Sequence, residues 1–274
     1  NAGFWGQETV GSGQYLHHLV DALAALAEGP EIVLCGPAPL RAKRPLAAGL
    51  AWHGVPASPW ARLVGNMEKV WFEQVSYPRA ARALAVAVSH VPYFAPPAAP
   101  TAPTVVTIHD LIPLLLPAYR GSAAVRAYMQ LVARSARRAT LVLTDAEATQ
   151  PEIVRYLGVA PERVRVVPLA ASPAYRPVEE REALTSVRAR YGLGERFLLY
   201  LGGYDERRNL AILFRALAAA RERTPTLPRL ALAGALPARD TAFAPDPRRL
   251  AAEAGASAGV QFLGRVPESD KPAL

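Results

Sequence analysis

Hydrophobic residues fall in short runs separated by longer amphipathic stretches over almost the whole chain. The runs 31–35, 86–88, 104–108, 141–144, 164–167, 197–201, 230–233 and 260–263 predict strands. Most are continuously apolar rather than alternating, the pattern of parallel strands covered by helices on both faces. Segments 14–27, 66–84, 123–138, 150–157, 210–223 and 248–254 have helical length and spacing. This strand–helix rhythm predicts an α/β fold of doubly wound, Rossmann-like sheets. No internal repeat of fixed period is visible.

The rhythm breaks once. After Val166-Val167-Pro168 come Ser172-Pro173 and Arg176-Pro177, then a short charged helix over 179–191 and a fresh strand at 197–201. Polar, proline-containing segments of this kind join domains. The expected division is therefore an N-terminal Rossmann-like domain over 1–172, a linker with a short helix over 173–195, and a second domain over 196–274. The Pro/Ala-rich stretch 92–103 is closely flanked by strands and reads as a loop inside the first domain. Residues 1–10 contain no strand, although the glycine turn that follows should have one before it. Three strands make up the second domain, so it is expected to be partial.

Composition narrows the class. Of 274 residues, 51% are hydrophobic and 20% charged, which excludes a disordered chain. No apolar run approaches the ~18 residues of a membrane span, and no signal segment opens the chain. The single cysteine, Cys35, can form neither an internal disulfide nor by itself a zinc site, so a reducing cytoplasm is expected and no metal. Net charge is +8, carried almost wholly by arginine. Such a balance suits phosphate-bearing small molecules, anionic membranes or nucleic acid, or simply reflects a GC-rich coding bias. Nucleic acid is the weakest of these partners, because the arginines are scattered and no recognition motif frames them.

Three motifs carry candidate chemistry. Gly11-Ser12-Gly13 opens the first helix, where glycines and free N–H groups accept an anion or merely form a strand-to-helix turn. Leu16 stands in place of a third glycine, so no dinucleotide fingerprint is present. His109-Asp110 follows the apolar run 104–108, at the strand edge where open α/β sheets bind ligands; alternatively Asp110 caps a turn that His109 satisfies. Gly202-Gly203-Tyr204-Asp205-Glu206-Arg207-Arg208-Asn209 leads from a strand into a helix. It sets two guanidiniums where a diphosphate would bind, or else forms a solvated Arg pair with Asn209 as N-cap.

Taken in order, these segments resemble the retaining GT-B glycosyltransferases of the group 1 (family 4) superfamily. The likeness adds Phe72-Glu73-Gln74, His90-Val91-Pro92-Tyr93, Thr107 through Pro113, Thr144-Asp145-Ala146-Glu147, Tyr156-Leu157-Gly158-Val159 and Val260 through Val266. Departures are Arg208 for the usual lysine, Ala146 for the usual serine and Ala170 for the usual glycine. The family's spaced glutamate pair would lie beyond Leu274.

The resemblance implies a GT-B-like fold with two Rossmann-like domains facing a cleft, the second incomplete. It implies sugar transfer with retention from a UDP- or GDP-linked sugar, without metal or cofactor, to a glycan or lipid-linked acceptor. His109, Arg207 and Arg208 would be catalytic. Gly11, Ser12, Gly13, Gly202, Gly203, Asn209, Arg265 and Val266 would bind the donor, and His90, Tyr93 and Asp110 would lie on the acceptor side. A non-catalytic ligand-binding fragment is the alternative, and a nucleotide-sugar epimerase a third. Peripheral contact with anionic lipid at the inner membrane face is also expected. Arg126, Arg134, Arg137 and Arg138 recur on one helical face, and Tyr128, Leu131 and Val132 would supply apolar area.

Overall fold

The computed structural model describes residues 1–56, 58, 65–119 and 121–274. They form two compact units, Asn1–Leu169 and Ala170–Leu274.

In the first unit the elements are α1 (Gly11–Ala24), β1 (Ile32–Pro37), β2 (Leu50–Val55), α2 (Gly65–Trp71), α3 (Tyr77–Ala83), β3 (Ser89–Val91), β4 (Thr104–Thr107), α4 (Ile112–Leu115), α5 (Ala123–Ala136), β5 (Leu141–Thr144), α6 (Thr149–Glu152) and β6 (Val164–Val166). All strand pairs are parallel: β1 with β2, and a second sheet in the order β3-β4-β5-β6. Val106, Ile108, Val132, Val142, Ile153 and Leu157 make its core, each fully buried. Between the edges of β1 and β3 runs a cavity of about 620 Å³, lined by Leu16, Val20, Ile32, Leu34, Tyr77 and Val86. Asn1 and Ala2 bridge one end of this gap. The Asn1 nitrogen donates to the His90 carbonyl and the Ala2 N–H to the Cys35 carbonyl, each at 2.7 Å.

The second unit contains α7 (Arg181–Arg190), β7 (Leu198–Leu201), α8 (Leu210–Arg223), β8 (Leu230–Ala233), α9 (Pro247–Glu253) and β9 (Val260–Gly264). Its parallel sheet has the order β7-β8-β9, with Leu210, Phe214, Leu217 and Leu232 buried against it. Leu198, Leu199 and Leu201 of β7 remain exposed.

Three sequence expectations are corrected. Strand 86–88 lies instead at Ser89–Val91, because residues 84–86 close α3: the Ala85 N–H donates to Arg82 O, the Val86 N–H to Ala81 O, and Ala85 takes φ +49°. That bonding pattern is a helix stop of the Schellman type, normally built on glycine. The strand β2 was not expected, since Leu-Ala-Trp-His-Gly-Val carries neither a β-branched run nor clean alternation. The helix 66–84 is interrupted by a π-helical turn, Phe72–Ser76, just before Pro78. Proline has no N–H to give the carbonyl four residues back, and the ladder shifts register there.

The basic face of α5 also changes. The helix ends at Ala136. Arg137 donates to Leu157 O and Arg138 to Ala98 O, while Val132 is buried and Tyr128 is bonded to Glu73. Val132 and Tyr128, expected outside, therefore face the core. Among the described residues no helix is long and apolar enough to cross a membrane.

Candidate functional site

Parallel strands bring their carboxyl ends to one edge, and short loops there carry side chains free of ladder duties. In the first unit β4 and β5 are neighbours, with Val105 opposite Leu141 and Thr107 opposite Leu143. Carrying this register two residues further sets His109 opposite Asp145. Their side chains meet, His109 Nδ1 to Asp145 Oδ2 at 2.6 Å. An ionised carboxylate only accepts, so Nδ1 carries the proton in this bond; when the ring holds that proton alone, Nε2 is an acceptor. Nε2 is buried and has no hydrogen-bond partner among the described residues. The Tyr15 ring stands edge-on to His109, with centroids 4.6 Å apart. The imidazole is thus fixed by a carboxylate on one side and a ring on the other.

Tyr15 belongs to the first turns of α1, which begins at Gly11. A Cβ on Gly13 would come within 2.0 Å of the Gln7 carbonyl oxygen, so only glycine lets the chain enter the helix so closely. At Gly11 a Cβ would meet nothing within 4 Å, and no side chain caps the N–H groups there. The Thr107 hydroxyl joins Tyr15 Oη at 3.2 Å and His90 Nε2 at 3.0 Å. Burial pushes the His90 imidazole down to about 4, so it is neutral near pH 7. His109, Asp145, Tyr15, Thr107 and His90 therefore form one continuous polar cluster.

Asp110 and Tyr93 make other contacts. Asp110 Oδ1 accepts from the Ile112 N–H at 3.1 Å and shapes the turn into α4. Tyr93 is buried and donates to Asn1 Oδ1. Burial first, then the Glu73 carboxylate, raises its phenol well above the ordinary range. Asp145 and Glu73 lie within segments of the family resemblance, but nothing in sequence assigned them a role. An Asp one residue past a predicted strand, in the register of a His one past its neighbour, was the available signal for Asp145.

In the second unit, β7 ends at Gly202 and Gly203, and a single 3-10 turn, Glu206–Arg208, precedes α8. Asp205 gathers both arginines: its Oδ1 lies 2.8 Å from Arg207 Nε and its Oδ2 3.7 Å from Arg208 Nε. Asn209 adopts φ +48°, ψ +49° and makes no side-chain cap, so it serves as a left-handed joint between the two helical turns. Gly234 must be glycine, because a Cβ would lie 2.1 Å from the Gly202 carbonyl oxygen. Its N–H donates to Gly264 O at the end of β9. Arg265 follows, exposed, and Val266 is buried. The glycines, Arg207, Arg208 and Arg265 thus share the carboxyl edge of the second sheet. Among the described residues no group of three or more His, Cys, Asp or Glu could hold a metal ion.

Residues 10–170 match the glycosyl transferase 4-like domain. The chain belongs to that family. Its match takes in every residue of the His109–Asp145 cluster. Among curated proteins, two mannosyltransferases of Escherichia coli are similar. O-antigen chain mannosyltransferase B is 28% identical over 171 residues, 62% of this chain and 44% of the relative. The serotype-specific mannosyltransferase WbdA is 27% identical over 115 residues, 41% of this chain and 14% of the relative. The chain thus spans less than half the length of the curated relatives it matches.

Among solved structures, WaaG, a glycosyltransferase involved in lipopolysaccharide biosynthesis, superposes with TM-score 0.64 at 14% identity, covering 95% of this chain and 68% of WaaG. HepE from Anabaena, solved in complex with UDP, gives TM-score 0.60 at 16% identity, covering 96% and 68%. The fold of this glycosyl transferase 4-like chain is GT-B.

Proposed function

We propose that the protein transfers a hexosyl group, with retention of configuration, from a UDP- or GDP-linked sugar to a glycan or lipid-linked acceptor. The observation that carries this reading is the His109–Asp145 pair, with its buried, unpartnered Nε2 at the carboxyl edge of the first sheet. A ring held by two neighbours and open at one nitrogen suits a substrate hydroxyl. Arg207 and Arg208 supply the positive charge that a departing diphosphate requires, on a frame set by Asp205. In the first unit, the open N-terminus of α1 at Gly11 and Ser12 also favours an anion. Two carboxylates of the first-unit edge are engaged in holding structure: Asp145 bonds His109 and Asp110 bonds the α4 turn. Front-face transfer therefore fits better than a covalent glycosyl-enzyme. The mannosyltransferase relatives and HepE, solved with UDP-glucose, support a nucleotide-hexose donor. A lipid-linked acceptor would bring the protein to the inner membrane face.

The test is to incubate the purified protein with GDP-mannose, UDP-glucose and candidate glycan acceptors. Released nucleotide diphosphate is assayed, and the anomeric configuration of the product is read by NMR. Release that depends on donor, with an axial linkage from an axial donor, is expected. No turnover or binding of any donor would overturn the reading.

A further inference from the structure

A second concave site lies in the first unit, outside the His109 cluster. It is a pocket of about 350 Å³ lined by Phe4, Gln7, Glu68, Lys69, Phe72 and Tyr93, with Gly3 and Pro37 closing its floor. Its walls again come from carboxyl ends: Pro37 finishes β1, Tyr93 follows β3 by two residues, and the 3–7 loop leads to α1. This is the edge where α/β sheets bind ligands.

The lining is unusual in how it holds one cation. Phe4 and Tyr93 pack edge to face at 4.7 Å. The Lys69 ammonium stands 5.7 Å from the Phe4 ring, 6.0 Å from Tyr93 and 5.3 Å from Tyr128. Behind it lies Glu73, which is 0% exposed and sits on the π-helical turn. Tyr128 Oη donates to Glu73 Oε2 at 2.6 Å, while Glu73 Oε1 faces Lys69 Nζ at 3.8 Å and has no hydrogen-bond partner among the described residues. A π-turn that buries a carboxylate is costly for a purely structural device, and such turns gather at functional sites. Glu73 and the aromatic rings together fix where the Lys69 ammonium points.

Charge decides what the pocket takes. Lys69 is offset by Glu73 behind it, and Glu68, whose carboxylate accepts from the Ser58 N–H, adds a second negative charge to the lining, so no net positive charge is left for a phosphate. What remains is aromatic surface with a fixed ammonium and the exposed Gln7 amide. Apolar walls with a few placed polar groups suit a sugar ring, whose C–H faces pack on aromatics while its hydroxyls pair at the rim. We infer that this pocket binds an uncharged saccharide unit of the acceptor, with Lys69 and Gln7 as its hydrogen-bond donors and Glu73 as the positioning residue for Lys69. This rests on the proposed transferase function.

The experiment measures binding of methyl α-D-mannoside and an α-linked mannobiose by saturation-transfer NMR, in the wild type, Gln7→Ala and Lys69→Gln. GDP and UDP binding and the melting temperature are followed in parallel. Expected are glycoside affinities about tenfold weaker in Lys69→Gln and severalfold weaker in Gln7→Ala, with nucleotide affinity unchanged. Gln7 is exposed, so its variant carries the test if Lys69→Gln unfolds. Nucleotide binding with no glycoside signal, or glycoside signal untouched by both substitutions, would overturn the pocket and leave the transferase reading standing. Glycoside binding without nucleotide binding would do the reverse. Inorganic phosphate held by the wild type and lost in Lys69→Gln would overturn the choice of an uncharged ligand.

Discussion

His109 Nδ1 and Asp145 Oδ2 meet at 2.6 Å across the carboxyl ends of two adjacent parallel strands, 36 residues apart in sequence. Strand register alone makes them neighbours, and the bond settles the tautomer and rotation of the ring. Asp145→Asn offers the ring an amide that can present its N–H instead, which permits the wrong tautomer. Turnover is expected to fall at least ~100-fold with little change in melting temperature. Because Asp145 acts through His109, the double variant with His109→Ala should be no slower than His109→Ala alone. Additive losses in that cycle would show that Asp145 works independently.

How much of this was legible follows from what neighbours in sequence can reveal. Runs such as Val105-Val106 and Leu141-Val142-Leu143 declare buried parallel strands, and the residues after them were correctly placed at loop positions. Which strand lies beside which is not written locally, so Asp145 stayed a motif residue without a role. Tyr128 and Glu73 are 55 positions apart. Their bond exists only because α5 packs over the π-turn, and that turn depends on one proline whose effect looked like a continuing helix. Strand 86–88 was misplaced for a related reason: Val86-Ala87-Val88 is apolar, yet its first residue is consumed in stopping α3.

Arg208 is 46% exposed along its side chain and approaches Asp205 only at 3.7 Å, so the fold does not depend on it. An exposed pair of this kind contributes ~0–1 kcal/mol. Arg208→Ala is expected to lower kcat by ~10²–10³ through loss of one preorganised donor to the leaving diphosphate. Its melting temperature should stay within a few degrees. Arg208→Lys, which keeps the charge but not the fork, should recover part of the rate. Wild-type kcat in Arg208→Ala would remove the arginine from the mechanism.

Ala85 holds φ +49° at the end of α3, in the helix stop whose left-handed position favours glycine. The left-handed conformation costs an L-residue ~1–2 kcal/mol, against which glycine's greater freedom when unfolded is a smaller loss. Ala85→Gly should therefore stabilise the first unit by about 1 kcal/mol. Urea denaturation of the two proteins would reveal this, and a lower midpoint for the glycine variant would refute the assignment of strain.

His90 makes acid stability a further test. Its imidazole is pushed from an ordinary value of 6.5 to about 4, mainly by burial. As pH falls through 6.5 the unfolded chain takes up a proton at this position while the folded chain does not. The unfolded state then binds more protons, and stability must drop with falling pH until about 4, below which both states are charged and the slope ends. The difference of about 2.5 pH units corresponds to at most ~3.4 kcal/mol. His90→Gln keeps a polar tip near Thr107 Oγ1 but cannot titrate, so its stability should fall less between pH 7 and pH 4.5 than that of the wild type. Parallel losses in the two proteins over that window would mean that His90 is not held neutral by burial, and that the Tyr15–Thr107–His90 chain is open to water.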